Sequence, residues 1–298
     1  MMSGQFLAIG EAMVELAPDG NGALRQGFAG DTLNAAYYAR AALPAAWQVS
    51  YFTQLGLDAM SDAMLAFMAQ KQIGTDYIGR HASRMPGLYM VHLNHGERSF
   101  SYWRSHSAAR LLAEDKAALR QAIEASKIII FSGITLAILE SDGADNLLSV
   151  LEETRNTDKI IAFDPNIRPR LWADQDHMRA QLIRGAKVSN LVLPSFDDEA
   201  SHFGDLTIAD TIDRYRSYGL NRIIVKNGAD DIEGYFDGQP LTVKATTVPQ
   251  IIDTTGAGDS FNGSFLGHFA HTGDAVTSAK FASQIAAKTI QHYGALVD

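Results

Sequence analysis

Cysteine is absent from the 298 residues, which removes disulfides, thiolate metal sites and cysteine nucleophiles at once. No apolar run approaches the roughly 18 residues that a membrane-spanning helix needs. Positive charge is scarce: 25 Lys and Arg stand against 34 Asp and Glu, a net charge of −9. That balance argues against a general nucleic-acid or acidic-membrane surface, and any anionic substrate must be held by local groups. No Gly-Lys dipeptide occurs, so a Walker P-loop is excluded, and no G-x-G-x-x-G follows a strand-like run. Met1 to Gly10 carries no basic n-region or apolar h-region, so no signal peptide is expected, and a cytoplasmic protein is. Internal repeats and low-complexity linkers are missing too.

What is present is ample core material, 46% hydrophobic, for one large α/β domain or one domain with a small excursion. Phe6 to Gly10, Val49 to Leu55, Ile128 to Gly133, Ile160 to Asp164, Leu191 to Leu193 and Arg222 to Lys226 are short apolar, β-rich runs. Helical stretches separate them, among them Tyr37 to Leu43, Ser61 to Gln70, Asp142 to Thr154, Met178 to Ala186 and Ile208 to Tyr218. Such alternation predicts a mostly parallel sheet with helices on both faces. Ligands on such sheets lie at the carboxyl ends of strands, where Asp164 to Arg168, Ser195 to Glu199 and Lys226 to Gly228 fall.

One segment breaks the pattern. Gly87 to Leu93 and Arg98 to Arg104 alternate like strands around Asn94-His95-Gly96-Glu97, a hairpin signal. Period two puts Phe100, Tyr102 and Arg104 on one face and Tyr89, Val91 and Leu93 on another.

The chain is organised around Asp253-Thr254-Thr255-Gly256-Ala257-Gly258-Asp259-Ser260-Phe261-Asn262-Gly263-Ser264-Phe265-Leu266. A polar, glycine-rich loop passes into a helical pattern. Phe261, Phe265 and Phe269 recur on one face, and Asp259, Gly263 and Gly267 on its neighbour. Small residues at a helix start leave backbone N–H groups uncovered, and the positive helix end favours an anion. A carboxylate beside an anion hole suits phosphoryl transfer; a plain helix start with Asp as its cap would carry the same residues. Gly27-Phe28-Ala29-Gly30-Asp31-Thr32-Leu33-Asn34 is a second glycine turn into a helix, with Asp31 and Thr32 as cap candidates.

The fourteen-residue string resembles the C-terminal signature of the PfkB, or ribokinase-like, carbohydrate kinases. The resemblance implies a three-layer αβα domain over residues 1–298, with a discontinuous β-lid from about 11–27 and 87–106. It implies that Gly256, Ala257 and Gly258 form the anion hole and that Asp259 is the catalytic base. Gly30, Asp31 and Asn34 match the family's sugar-lining element, although Ala29 stands where a first glycine is usual. Glu15 lies near an acidic sugar contact or is an exposed strand-end carboxylate. ATP and Mg2+ are implied, with Asn166, Ser195, Lys226, Gly228 and Ser283 on the nucleotide side. Ser195 and Asp198, or Glu199, stand for the family's Asn-x-x-Glu, which places magnesium through water; simple compensation of a helix dipole explains the acids equally well. A monovalent cation such as K+ near Asp253 is also implied.

The strings around Arg104 and Arg168 resemble the 2-keto-3-deoxygluconate kinases within that family. There Tyr89, Tyr102, Arg104 and Arg168 would hold the acid end of a sugar acid, with its 6-hydroxyl towards Asp259. A guanidinium fork matches a carboxylate, although surface ion pairing is the commoner use of arginine. The alternatives are a kinase for a neutral sugar such as fructose or ribose, and a non-catalytic sugar-acid-binding regulator. Unpaired lid edges favour a homo-oligomer, with a dimer expected.

Overall fold

The computed structural model describes all residues except 1, 2, 95, 96, 157 and 298. The chain opens with strands β1 (Gln5–Ile9), β2 (Met13–Pro18) and β3 (Leu24–Ala29), then helix α1 (Asp31–Ala42), β4 (Gln48–Gly56) and α2 (Ala59–Gln70). Three strands follow, β5 (Ile78–His81), β6 (Gly87–Asn94) and β7 (Glu97–Trp103), then α3 (Lys116–Glu124), β8 (Ile128–Ser132), α4 (Gly133–Ile138) and α5 (Gly143–Thr154). Next come β9 (Ile160–Asp164), α6 (Gln175–Val188), β10 (Leu191–Val192), α7 (Phe196–Phe203), α8 (Ile208–Ser217), β11 (Arg222–Val225), β12 (Ile232–Phe236) and β13 (Gln239–Val243). Helices α9 (Ala257–Thr272) and α10 (Ala275–Thr289) complete the order.

The large sheet runs β13-β12-β11-β10-β9-β8-β1-β4-β5. Its strands pair in parallel from β5 to β11, and β12 and β13 are antiparallel additions at one edge. Alternate residues explain the layering. Phe6 and Ala8 of β1, with Ile128 and Ile130 of β8, join the core against α1, α9 and α10. Leu7 and Ile9, with Ile129 and Phe131, join the core against α3, α5 and α6. Strands buried on both faces must be apolar at every position, so these runs read as continuous rather than alternating.

The second sheet has four strands, in the order β3-β2-β6-β7. In the hairpin between its last two, His95 and Gly96 of the predicted turn lie outside the described residues. Its register corrects the expected facing. Tyr89 lies opposite Tyr102 and Val91 opposite Phe100, and directly opposed residues of an antiparallel pair share a face. Tyr89, Tyr102 and Phe100 therefore form one aromatic cluster, with ring centroids about 6 Å apart.

The β12–β13 hairpin was not foreseen. Its turn is Asp237-Gly238, both left-handed at φ 48° and 92°, the two-residue chemistry that tight hairpins favour. The cap assignment for α1 changes too. Gly30, not Asp31 or Thr32, is the N-cap, because Gly30 passes so close to Glu11 that a Cβ there would meet the Glu11 carbonyl oxygen at 2.2 Å.

Candidate active site

The site begins with two helices that approach unusually closely. A Cβ on Gly263 would lie 2.1 Å from the Ala35 carbonyl oxygen, and one on Gly267 would lie 2.8 Å from the Ala42 Cβ. The glycine face of α9 therefore seats directly on α1. The neighbouring face stacks Phe261, Phe265 and Phe269 in register and sets the last two against Phe236 of β12. This packing carries Asp259, one turn before Gly263, onto Asn34, whose Nδ2 donates to Asp259 Oδ2 at 2.8 Å.

Around that contact the acids accumulate. Asp31 Oδ2 accepts from Ser132 Oγ at 2.5 Å and from Asn166 Nδ2 at 3.3 Å. Asn166 holds a left-handed φ of 36° to make its bond, a conformation that asparagine tolerates. Asp164 accepts from Asn262 Nδ2 at 2.7 Å, and Lys226 Nζ donates to Asn262 Oδ1 at 3.1 Å. Burial, then the nearby Asp31 charge, pushes Asp259 up to about 7, against the opposing hydrogen bond from Asn34. Burial also raises Asp31, with the Ser132 bond working against it. A carboxyl poised near neutrality can take a proton from an alcohol and return it.

Facing these acids is the start of α9. Gly256 is its N-cap at φ 76° with no side-chain cap, and a Cβ there would strike Ala295 at 2.7 Å. Asp259 thus sits inside the first turn instead of capping the helix. A Cβ on Gly258 would lie 3.5 Å from Lys226 Nζ, so the ammonium and the uncapped helix start address the same space. Such a space favours phosphate oxygens.

The family model of the pfkB carbohydrate kinases matches residues 5–298. The chain belongs to that family. The pfkB chain is 36% identical to the 2-dehydro-3-deoxygluconokinase of Escherichia coli strain K12 over 303 residues, covering 99% of this chain and 98% of that protein. It is 34% identical to the enzyme of the same name from Haemophilus influenzae, covering 97% and 94%. Among solved structures it resembles a fructokinase with bound ATP from Xylella fastidiosa, at a TM-score of 0.81 and 25% identity over 98% of this chain and 93% of that one. The 2-dehydro-3-deoxygluconokinase of Thermotoga maritima shares the fold at a TM-score of 0.84 and 20% identity, covering 99% and 95%.

Set in this pfkB frame, the remaining predicted residues divide into three groups. Gly30, Asp31, Asn34, Asn166, Gly256 to Asp259 and Lys226 form one connected constellation. Tyr89 and Arg104 lie close by but are already engaged. The Tyr89 hydroxyl donates to Glu15, and burial first, then the Glu15 charge, raises its pKa. Arg104 Nη2 is paired with Glu11, the two side chains being 11% and 1% exposed. Tyr102, by contrast, is 53% exposed. Arg168, also 53% exposed, reaches Asp198 at 3.5 Å, and burial raises the Asp198 carboxyl, opposed by Arg168.

The third group lies at or beyond the margin. Ser195 caps α7 without a side-chain bond and bridges to Lys226 through the backbone. Gly228 turns with φ 56° just beyond β11. Ser283 is spent on Thr246, accepting from its N–H at 2.8 Å. Glu199 is buried against Arg214 and Tyr215, which leaves Asp198 as the acid of that helix nearest Arg168.

Three contributors carried no role in the sequence reading. Asn262, three residues after Asp259, shares its helix face, a spacing that could have exposed it. Ser132 ends β8 and Glu11 follows β1 by two residues, both at the carboxyl edge of the sheet, where function collects, but their partners are remote in sequence.

Proposed function

We propose that this carbohydrate kinase transfers the γ-phosphoryl group of ATP to the 6-hydroxyl of 2-dehydro-3-deoxy-D-gluconate, giving 2-dehydro-3-deoxy-6-phospho-D-gluconate and ADP. Asp259 takes the hydroxyl proton, the freed oxygen bonds to the γ-phosphorus, and the bond from that phosphorus to ADP breaks. Gly256, Ala257 and Gly258 present backbone N–H groups to the transferring oxygens, and Lys226 adds charge beside them. Asp31 and Asn34 orient the sugar and the base. Tyr89, Tyr102, Arg104 and Arg168 hold the acid end, and Asn166, Ser195 and Gly228 border the donor. We assign Ser283 to holding Thr246 in place.

Magnesium bound to the donor phosphates would neutralise their charge. Among the described residues no group of three or more His, Asp or Glu could hold a metal directly, so Asp198 fits an indirect contact through water. The loop at Asp253, whose Oδ2 accepts from the Gly294 N–H at 2.7 Å, is where we place a monovalent cation such as K+ on backbone oxygens. No helix among the described residues is long and apolar enough to cross a membrane, and a reaction fed by ATP belongs in the cytoplasm. The small sheet acts as the lid, and the enzyme is a homodimer through it.

The observation that carries the reading is the pairing of a half-buried base near neutrality with a largely buried guanidinium on the acceptor side. A second reading, a neutral-sugar kinase, draws on the Glu11 carboxylate that already balances Arg104; a fructokinase of Klebsiella pneumoniae is 26% identical over 96% of the chain. A coupled ADP-release assay with MgATP separates them, using the sugar acid, fructose and ribose as acceptors. The proposal expects turnover confined to the acid, with neutral acceptors rejected by about 10⁴. Turnover on a neutral sugar alone would replace it with the second reading.

A further inference from the structure

The chain crosses between the large sheet and the lid four times, and all four crossings meet at one side chain or its backbone. It enters after Glu11, leaves at Gly30, returns at Gly87 and leaves again at Arg104. A Cβ on Gly30 would meet the Glu11 carbonyl oxygen at 2.2 Å. A Cβ on Gly87 would meet Glu11 Oε1 at 2.6 Å and the Arg104 Cβ at 3.1 Å. Glu11 Oε2 accepts from Arg104 Nη2. At Gly30 the Glu11 backbone, and at Gly87 the Glu11 carboxylate together with Arg104 and Met13, fill the space a side chain would need.

The pair itself is one bond short of a two-pronged fork. Glu11 Oε1 and Arg104 Nε are buried without hydrogen-bond partners among the described residues. Two buried ions held through a single contact pay desolvation that the contact alone repays poorly, so stability is a weak reason for this arrangement. Its effect is geometric. Arg104 lies just past the end of β7, and Glu11 pins its guanidinium to the root of the lid. With Glu11 1% exposed, substrate meets the arginine and not the glutamate.

We infer that Glu11 is a positioning residue for acid recognition: it acts through Arg104, fixing the guanidinium that receives the carboxylate of the acceptor. This inference rests on the sugar-acid reading above. In that reading Arg104 supplies uniform binding of the acid end, remote from the reacting oxygen, so the effect of Glu11 falls on KM and not on kcat.

The test is a double-mutant cycle on kcat and KM for the sugar acid, with wild type, Glu11→Gln, Arg104→Ala and the double variant. Glu11→Gln is expected to raise KM roughly tenfold with kcat within about threefold, the pattern of lost ground-state binding. In the Arg104→Ala background the same change is expected to leave KM within about twofold, because the group through which Glu11 acts is gone. Equal losses in both backgrounds, or a fall in kcat as large as the rise in KM, would overturn the inference and leave Glu11 a structural residue. Should Glu11→Gln not fold, Glu11→Asp keeps the charge but withdraws it by one methylene, and is held to the same comparison. A wild-type enzyme silent on the acid overturns the acceptor reading itself, a result distinct from additivity in an active enzyme.

Discussion

In the reading proposed above Asp259 is the base, and its surroundings set the pH at which it would work. With its carboxyl raised to about 7 by burial and the adjacent Asp31, the group is protonated below that pH and cannot accept a proton. The rate constant kcat/KM should therefore climb as pH rises through about 7 and level above it; a flat profile from pH 5 to 8 would contradict a base so perturbed. Replacing Asp259 with Asn is expected to cut turnover by about 10²–10⁴-fold and to abolish that climb in the residual rate, both readable in the same ADP-release assay. The place of Asp259 was legible because glycine, alanine, glycine and then an acid open a helix there. Glu11 was not. Its importance comes from Gly30, Gly87 and Arg104, which only the folded chain brings to it.

Among the elements, α1 and α9 decide whether a site exists. Their seam consists of glycine against backbone, so a side chain at Gly263 must push the helices apart. Gly263→Val should destabilise by about 1–3 kcal/mol, the usual cost of overpacking, measured by denaturant unfolding. Activity should fall further than this loss suggests, because the shift separates Asn34 from Asp259. A variant as active as wild type would show the seam to be tolerant. The helical periodicity of α9 and the apolar strands β1, β8 and β9 were readable because their patterns are fixed by burial alone. The β12–β13 hairpin was passed over although Asp237-Gly238 marks it. Its strands are short, follow β11 closely and lack the strict alternation that made the β6–β7 pair stand out. The α1 cap was misjudged for a different reason: Asp31 and Thr32 have capping chemistry, but close passage past Glu11 requires glycine at the position before them.

At the scale of the molecule, the small sheet leaves β3 and β7 as edge strands, and Trp103, in β7, is 58% exposed. Exposed aromatic residues beside an unpaired edge favour association. Sedimentation should find a dimer, and Trp103→Glu should shift it to monomer with the fold intact by circular dichroism; a wild-type monomer at micromolar concentration would rule out the lid interface. Residue patterns point only to an unpaired sheet edge, from which the expected dimer follows; the surface that completes an interface is assembled from distant segments.

The hydrogen bond from Asn34 to Asp259 spans 225 positions of sequence. A growing chain extended only as far as Val243 contains every strand from β1 to β13, yet neither Asp259, the proposed base, nor the Gly256 to Gly258 loop proposed to receive phosphate. On that proposal it could not spend nucleotide while half made. The segment between β13 and α9 is also a natural place to divide the protein: the two fragments would each be silent, and their reunion would switch the enzyme on.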